Sequence, residues 1–200
     1  MTNNPNTEKL VAEIHAVMTD LVRNMVRNPH NVNVTRKDVS QLVAFAIKTD
    51  QDDVRRVIGA KGKHFNALKT IVGAMLKRAG RESHVAIDES PNAAVSVLKK
   101  EGALGGFNAR QFKDASKLLN RVVAQCVHEP ERVAVTSTDV GATSILEIKI
   151  KASDFDALRG EREVDFEYGP DGELIGSIKN LFDGIGKNNG RVLKLVVTKI

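Results

Sequence analysis

Val54–Val72 reads VRRVIGAKGKHFNALKTIV, and the four residues at its centre, Gly59-Ala60-Lys61-Gly62, close one helical pattern and open another. Upstream, Asp52–Ile58 suits a short helix. Downstream, Phe65, Leu68, Ile71, Val72 and Met75 recur at spacings of three and four, the inner stripe of a longer helix over Gly62–Lys77. Gly80 then stands where a C-cap is expected. Glycine at both ends of the tetrad permits backbone conformations that side chains resist, and bare Cα atoms let a large ligand approach the main chain. The helix that follows begins with unpaired N–H groups at the positive end of its dipole, both favourable to an anion. Basic residues crowd the same region. Residues 51–81 carry Arg55, Arg56, Lys61, Lys63, Lys69, Lys77, Arg78 and Arg81 against Asp52 and Asp53, a net charge of +6. A solvated helix face is the plain reading of such a run and a polyanion site the sharper one.

Working outward, Leu10, Val11, Ile14, Val17, Met18, Leu21, Val22 and Met25 mark one face of a helix over about Thr7–Arg27, which Asn28-Pro29 ends. Val32 and Val34 alternate with polar neighbours and Leu42–Ile47 is a second β-rich run, so two strands are expected around a turn near Arg36–Ser40. His84–Ile87 suits a short last strand. The order is helix, strand, strand, helix, GxxG, helix, strand. Residues 89–108 then change character, with proline, three glycines and scattered apolar positions, and read as a linker that could hold a helical turn or two near Ala93–Lys100.

The pattern returns beyond it. At a shift of 101, six of the sixteen residues in 20–35 are identical to those in 121–136, among them Pro29/Pro130, Val34/Val135 and Thr35/Thr136. At a shift of 110, residues 59–80 align without a gap on 169–190, pairing Gly59/Gly169, Gly62/Gly172 and Gly80/Gly190. The two shifts differ by about nine residues, an insertion before the last helix of the second copy. Val192–Ile200 is the clearest strand in the chain. The expectation is a duplicated unit, residues 7–88 and 109–200, joined by 89–108.

The centre of the first unit resembles a KH domain, a V-I-G-x-x-G segment between two helices with basic residues in and after the loop. The leading helix makes the order similar to the type II, prokaryotic arrangement. The first copy resembles small stand-alone bacterial KH proteins along its length; the second follows the topology with a weaker signal. The resemblance implies an α+β fold of two tandem type II KH-like domains, each a three-stranded sheet packed on helices. It also implies single-stranded RNA as the partner, with the GxxG loop clamping a backbone stretch of about four nucleotides. The candidate contact residues are Arg55, Arg56, Val57, Ile58, Gly59, Ala60, Lys61, Gly62, Lys63 and His64. Bases are expected in an apolar groove lined by Val57, Ile58 and the edge of the Leu42–Ile47 strand. Some residues have structural alternatives: Arg55 or Arg56 can pair with Asp52 or Asp53, and His64 can cap or lie on the surface rather than meet phosphate. Phe65 is expected in the core. Cys126, standing where the first copy has Met25, is expected to be a buried thiol.

A Gly-x-x-Gly spacing alone is a weak signal, because three occur. Gly102/Gly105 has no periodic helix after it. Gly169-Pro170-Asp171-Gly172 has unsuitable chemistry, since Pro170 lacks an N–H donor and Asp171 repels phosphate. Residues 154–176 carry eight acids against Arg159 and Arg162, and Val164, Phe166 and Tyr168 alternate there as an extra strand would. The second copy is therefore expected to be degenerate as a clamp and to serve packing, dimerisation or a protein partner.

Composition narrows the function classes. The 200 residues hold 30 Lys+Arg against 25 Asp+Glu, seven Phe, one Tyr and no Trp. Too few rings remain for a base-stacking platform, which favours backbone clamping. A single cysteine excludes an intramolecular disulfide. The polar N-terminus lacks a signal-peptide pattern, and no apolar run is long enough for a membrane span, so a cytoplasmic location is expected. GAKGKH is not a nucleotide-binding P-loop, and the five histidines form no metal-ligand spacing with the cysteine. No cofactor, metal or enzymatic activity is expected. The alternatives to RNA binding are an adaptor that uses KH-like folds for protein contacts and a single-stranded DNA binder.

Overall fold

The computed structural model describes residues 5–88, 115–140, 143–159 and 172–200. The first half runs α1 (Pro5–Met25), β1 (Asn33–Val39), β2 (Leu42–Lys48), α2 (Gln51–Ile58), α3 (Lys63–Arg78) and β3 (Glu82–Ile87). The second runs α4 (Ala115–Cys126), β4 (Ala134–Val140), β5 (Thr143–Ile150), α5 (Ala152–Arg159), α6 (Gly172–Asn188) and β6 (Val192–Lys199). A 3-10 turn beginning at Pro29 or Pro130 follows the first helix of each half. Each half forms a mixed three-stranded sheet with the second strand in the middle, antiparallel to the first and parallel to the third. This is the expected α+β class, a sheet packed on helices, twice.

The first turn differs from expectation. Arg36–Val39 belong to β1, paired with Leu42–Phe45, and only Ser40 and Gln41 connect the strands. The polar residues that suggested a turn lie on an exposed edge strand, where pairing rather than hydrophobicity sets the conformation. The linker over 89–108, the Gly102/Gly105 pair and the Val164–Tyr168 alternation lie outside the described residues.

Alternation along β2 buries Val43, Phe45 and Ile47 against the helices. Both α3 and α6 end on a glycine in the left-handed region, Gly80 and Gly190. The N–H of Arg81 reaches the carbonyl of Leu76 and that of Arg191 the carbonyl of Gly186, each at 2.9 Å, the backbone closure of a Schellman end.

The halves meet through their helices. α3 lies against α6 and α1 against α4, and one continuous core runs through both helical layers. The contact is nearly two-fold: Arg78 Nη1 donates to the Ala124 carbonyl at 2.9 Å, and Asn188, its counterpart 110 residues on, donates Nδ2 to the Met25 carbonyl at 2.5 Å. The last turns of α3 and α6 thus satisfy carbonyls left open at the end of the other half's first helix. At the rim, Arg121 pairs with Asp20 at 2.5 Å and Gln125 donates to Glu13 at 3.1 Å. Burial is deepest on α6, which is covered nearly all round.

One position on α6 is unbalanced. Ser177 is 1% exposed and its hydroxyl has no hydrogen-bond partner among the described residues, where the first half has Ala67. Leaving a buried hydroxyl unpaired costs about 1–3 kcal/mol. Ser177→Ala is therefore expected to raise stability by about 1 kcal/mol, read as a higher urea midpoint at unchanged slope. A lower midpoint would mean the hydroxyl is satisfied in solution.

Candidate nucleic-acid interface

Helix α2 stops because Gly59 turns the chain at φ 72°, ψ 174°, its N–H still bonded to the Arg55 carbonyl at 2.9 Å. The N–H of Gly62 closes the tetrad onto the Gly59 carbonyl at 3.2 Å. Gly62, at φ 78°, starts α3 without any side-chain cap. Between the glycines Lys61 sits at φ 54°, ψ 28°. A side chain in this left-handed conformation costs roughly 1–2 kcal/mol, so the loop holds a lysine where glycine or asparagine would be easier. The uncapped first turn of α3 and the exposed Lys61 and Lys63 lie together, with exposed Arg55 at the end of α2.

The sequence-derived residues separate into two groups. Arg55, Ala60, Lys61 and Lys63 are exposed, and Ile58, Gly59 and Gly62 are half-buried beside them. Arg56, Val57 and His64 are used internally. Arg56 Nε lies 3.3 Å from Asp53 Oδ1, and its Nη1 donates to Asn188 Oδ1 at 2.8 Å, tying α2 to α6. Val57 is fully buried, so it supports the loop from beneath and offers no surface for a base. His64 Nδ1 donates to the Arg56 carbonyl at 3.0 Å, a cap on the open end of α2. The groove wall expected from the Leu42–Ile47 strand also needs correction. β2 is hydrogen-bonded on both sides, so it has no free edge; β1 and β3 are the edges.

Three residues of the frame escaped the sequence reading. Asp53, 1% exposed, accepts the backbone N–H groups of Arg27 and Asn28, both at 3.0 Å. Asp154, 101 residues on, accepts those of His128 and Glu129 at 2.8 and 3.3 Å. Each carboxylate ties the start of the short helix to the chain leaving the first helix. The identity at a shift of 101 was the available signal. Gly184 is the third, pressed against the His64 ring. Phe65 is partly buried against the core, with Lys69 Nζ 5.2 Å from its ring centre. Cys126 is a free, half-buried thiol at the junction of the halves, and desolvation pushes its pKa up to about 12 while Arg78 pulls it down.

In the second half the described residues show no tetrad of this form. α5 ends at Arg159, 101 residues beyond Ile58, and α6 opens at Gly172, 110 beyond Gly62. The nine additional residues therefore fall at the loop position itself, where twelve residues, 160–171, replace Gly59–Lys61; Gly169, Pro170 and Asp171 lie outside the described residues. Gly172 keeps the left-handed φ of 72°, and a Cβ there would fall 1.9 Å from the Arg159 carbonyl oxygen. Among the described residues there is no group of metal-ligating side chains and no helix long and apolar enough to cross a membrane.

The element order and the mixed sheet define a KH-like fold of the type II arrangement, present twice, with the glycine-bounded loop between α2 and α3 in the first half. The family described as KhpA/KhpB, KH domain, matches residues 15–87. The RNA-binding protein KhpA of Streptomyces coelicolor is 31% identical over 75 residues, 38% of this chain and 95% of that protein. The RNA-binding protein KhpA of Lactiplantibacillus plantarum is 31% identical over 62 residues, 31% of this chain and 73% of that protein. That of Streptococcus pneumoniae serotype 4 is 30% identical over 59 residues, 30% and 75% of the two chains. The chain belongs to the KhpA/KhpB KH-domain family through its first half.

Proposed function

We propose that this chain binds single-stranded RNA by its sugar-phosphate backbone at the Gly59–Gly62 loop. The second half supplies a built-in packing partner rather than a second clamp. The observation that carries the reading is Lys61, exposed and held in a left-handed conformation between two glycines at the uncapped start of α3. Strain of this kind persists where the side chain has a use. Lys63 and Arg55 add sequence-blind attraction, and the bare glycines allow phosphates to approach the N–H groups of α3. KhpA relatives named as RNA-binding proteins support the same reading. On this view residues 7–88 are the binding unit, 109–200 its covalent partner and 89–108 the connection. The whole is a cytoplasmic binding protein rather than an enzyme.

The test is the double substitution Ala60→Asp/Lys61→Asp, which places negative charge at the phosphate site on two exposed side chains. Affinity for a short RNA is expected to fall at least about tenfold, or 1.4 kcal/mol. An unchanged affinity in a folded variant would remove the loop from the interface. With about three phosphate contacts, log K should fall with log salt at a slope near −2. Competition between matched RNA and DNA oligonucleotides separates RNA preference from plain backbone binding.

A further inference from the structure

The duplication provides an internal comparison that points to a second ligand site, away from the loop. In the first half His15, on α1, fills the space between α1 and β1. Its ring stacks on Phe45 with centroids 5.7 Å apart and planes at 23°, and its Nε2 donates to the Val34 carbonyl at 2.7 Å. Val34 is the second residue of edge strand β1, so this carbonyl points away from β2 toward the helix.

The second half keeps the frame and omits the ring. Residues 101 further on are Ser116 for His15, Val135 for Val34 and Leu146 for Phe45. Val135 pairs with Ile148 as Val34 pairs with Ile47, so its carbonyl takes the same direction. Beside Ser116 and Val135, the counterparts of His15 and Val34, there is an open groove of about 360 Å³, lined also by Lys117, Asn120 and Arg121. That volume lies in the range of small-molecule sites, about 300–1,000 Å³. Val34 is 6% exposed while Val135 is only half-buried, as expected where the covering ring is missing.

The walls have also changed sign. Ala16 and Asp20 of the first half are answered by Lys117 and Arg121. Arg121 is oriented by one bond to Asp20 and remains 46% exposed, so further donors of its guanidinium are available. Ser116 and Asn120 add polar groups able to donate or accept. The first half therefore shows what shape fits, a flat nitrogen heterocycle that donates to the strand carbonyl. The second half adds a cationic wall suited to an attached anion.

We propose that this groove between α4 and β4 binds a nucleotide unit. The base occupies the space that His15 fills in the other half and donates to the Val135 carbonyl, and the phosphate meets Lys117 and Arg121. The unit can come from a free mononucleotide or from an RNA strand, and the chemistry is the same. The site does not depend on the Gly59–Gly62 loop.

The test uses the full chain, labelled for amide NMR and titrated with the four nucleoside 5′-monophosphates and with an RNA octamer. Each titration is also run in the Ala60→Asp/Lys61→Asp background. The amides of Ser116, Asn120 and Val135 are expected to shift in both backgrounds. Ser116→His refills the groove with the ring the first half already accommodates, and is expected to weaken this response at least tenfold. Should that variant fold poorly, Lys117→Glu leaves the groove open and reverses the charge of its wall, with a loss of at least fivefold expected. Shifts with mononucleotides assign a free nucleotide as ligand, and shifts with the octamer alone assign an RNA strand. No shift at these amides with any of the probes, or a response unaltered in Ser116→His and Lys117→Glu alike, overturns the site.

Discussion

Asp154→Ala is expected to destabilise the protein by about 3–5 kcal/mol, and Asp53→Ala by a similar amount. Each carboxylate is almost wholly buried and holds two backbone N–H groups at the exit from the first helix of its half. Truncation takes the charged acceptor from two part-buried backbone donors at once, and each loses a charge-assisted hydrogen bond. Because one core joins both halves, the loss should appear as a lower midpoint of a shared urea transition. For Asp154 the effect carries a pH signature. Burial alone pushes its carboxyl upward, but the N–H groups of His128 and Glu129, with the His128 ring, outweigh this and hold the group below the usual aspartate range. A depressed folded pKa contributes stability that is fully present above the unfolded value of about 3.9 and is lost as pH falls through the folded value. The wild-type chain should therefore lose more stability between pH 7 and pH 3 than Asp154→Asn, which has no charge to lose there. A cost under 1 kcal/mol for the alanine variant, or equal acid sensitivity of wild type and Asp154→Asn, would contradict the role assigned to the carboxylate.

Much of this frame was legible in the sequence because it is written by periodicity. The stripes of α1 and α3, the alternation in β2 and the left-handed glycines at 80 and 190 all report local geometry. The duplication reports that this geometry occurs twice. What escaped was set by tertiary contact. Asp53 looked like a surface partner for an arginine, and it does meet Arg56, but its main work is to hold the backbone 25 residues upstream. Arg56 and His64 sit beside the loop and look like phosphate ligands, yet both face the second half, a direction that spacing along the chain does not encode. Val57 differs from Ile58 by a single step of a helix, and that step carries it from a half-buried position into the core. The insertion in the second copy was visible as a change of shift from 101 to 110. Placing the change needed the end of α5 at Arg159, which puts it at the loop itself.

Gly184→Ala is expected to destabilise the protein by about 1–3 kcal/mol, the range for overpacking a close contact, and to weaken RNA binding severalfold. The missing side chain at 184 is filled by the His64 ring: a Cβ there would lie 2.5 Å from Nε2 and 2.6 Å from Cε1. The ring cannot retreat, because a Cβ on Gly59 would likewise fall 2.5 Å from its Cγ, so the opposite side is equally close. To escape it must swing out and give up its bond to the Arg56 carbonyl, opening the end of α2 next to the loop. Arg56 and Asn188 connect α2 to α6 independently, and Asn188 continues to the Met25 carbonyl. The second half is thus braced against the base of the Gly59–Gly62 loop by two routes. A double-mutant cycle with His64→Ala isolates the strut: removing the ring makes room for the added methyl, so the double variant should be no less stable than His64→Ala alone. RNA affinity in the double variant reports whether the loop needs the ring itself or only an undistorted base. If the two stability costs simply add, the ring is not what Gly184 makes room for, and the coupling between the halves runs through Arg56 and Asn188 alone.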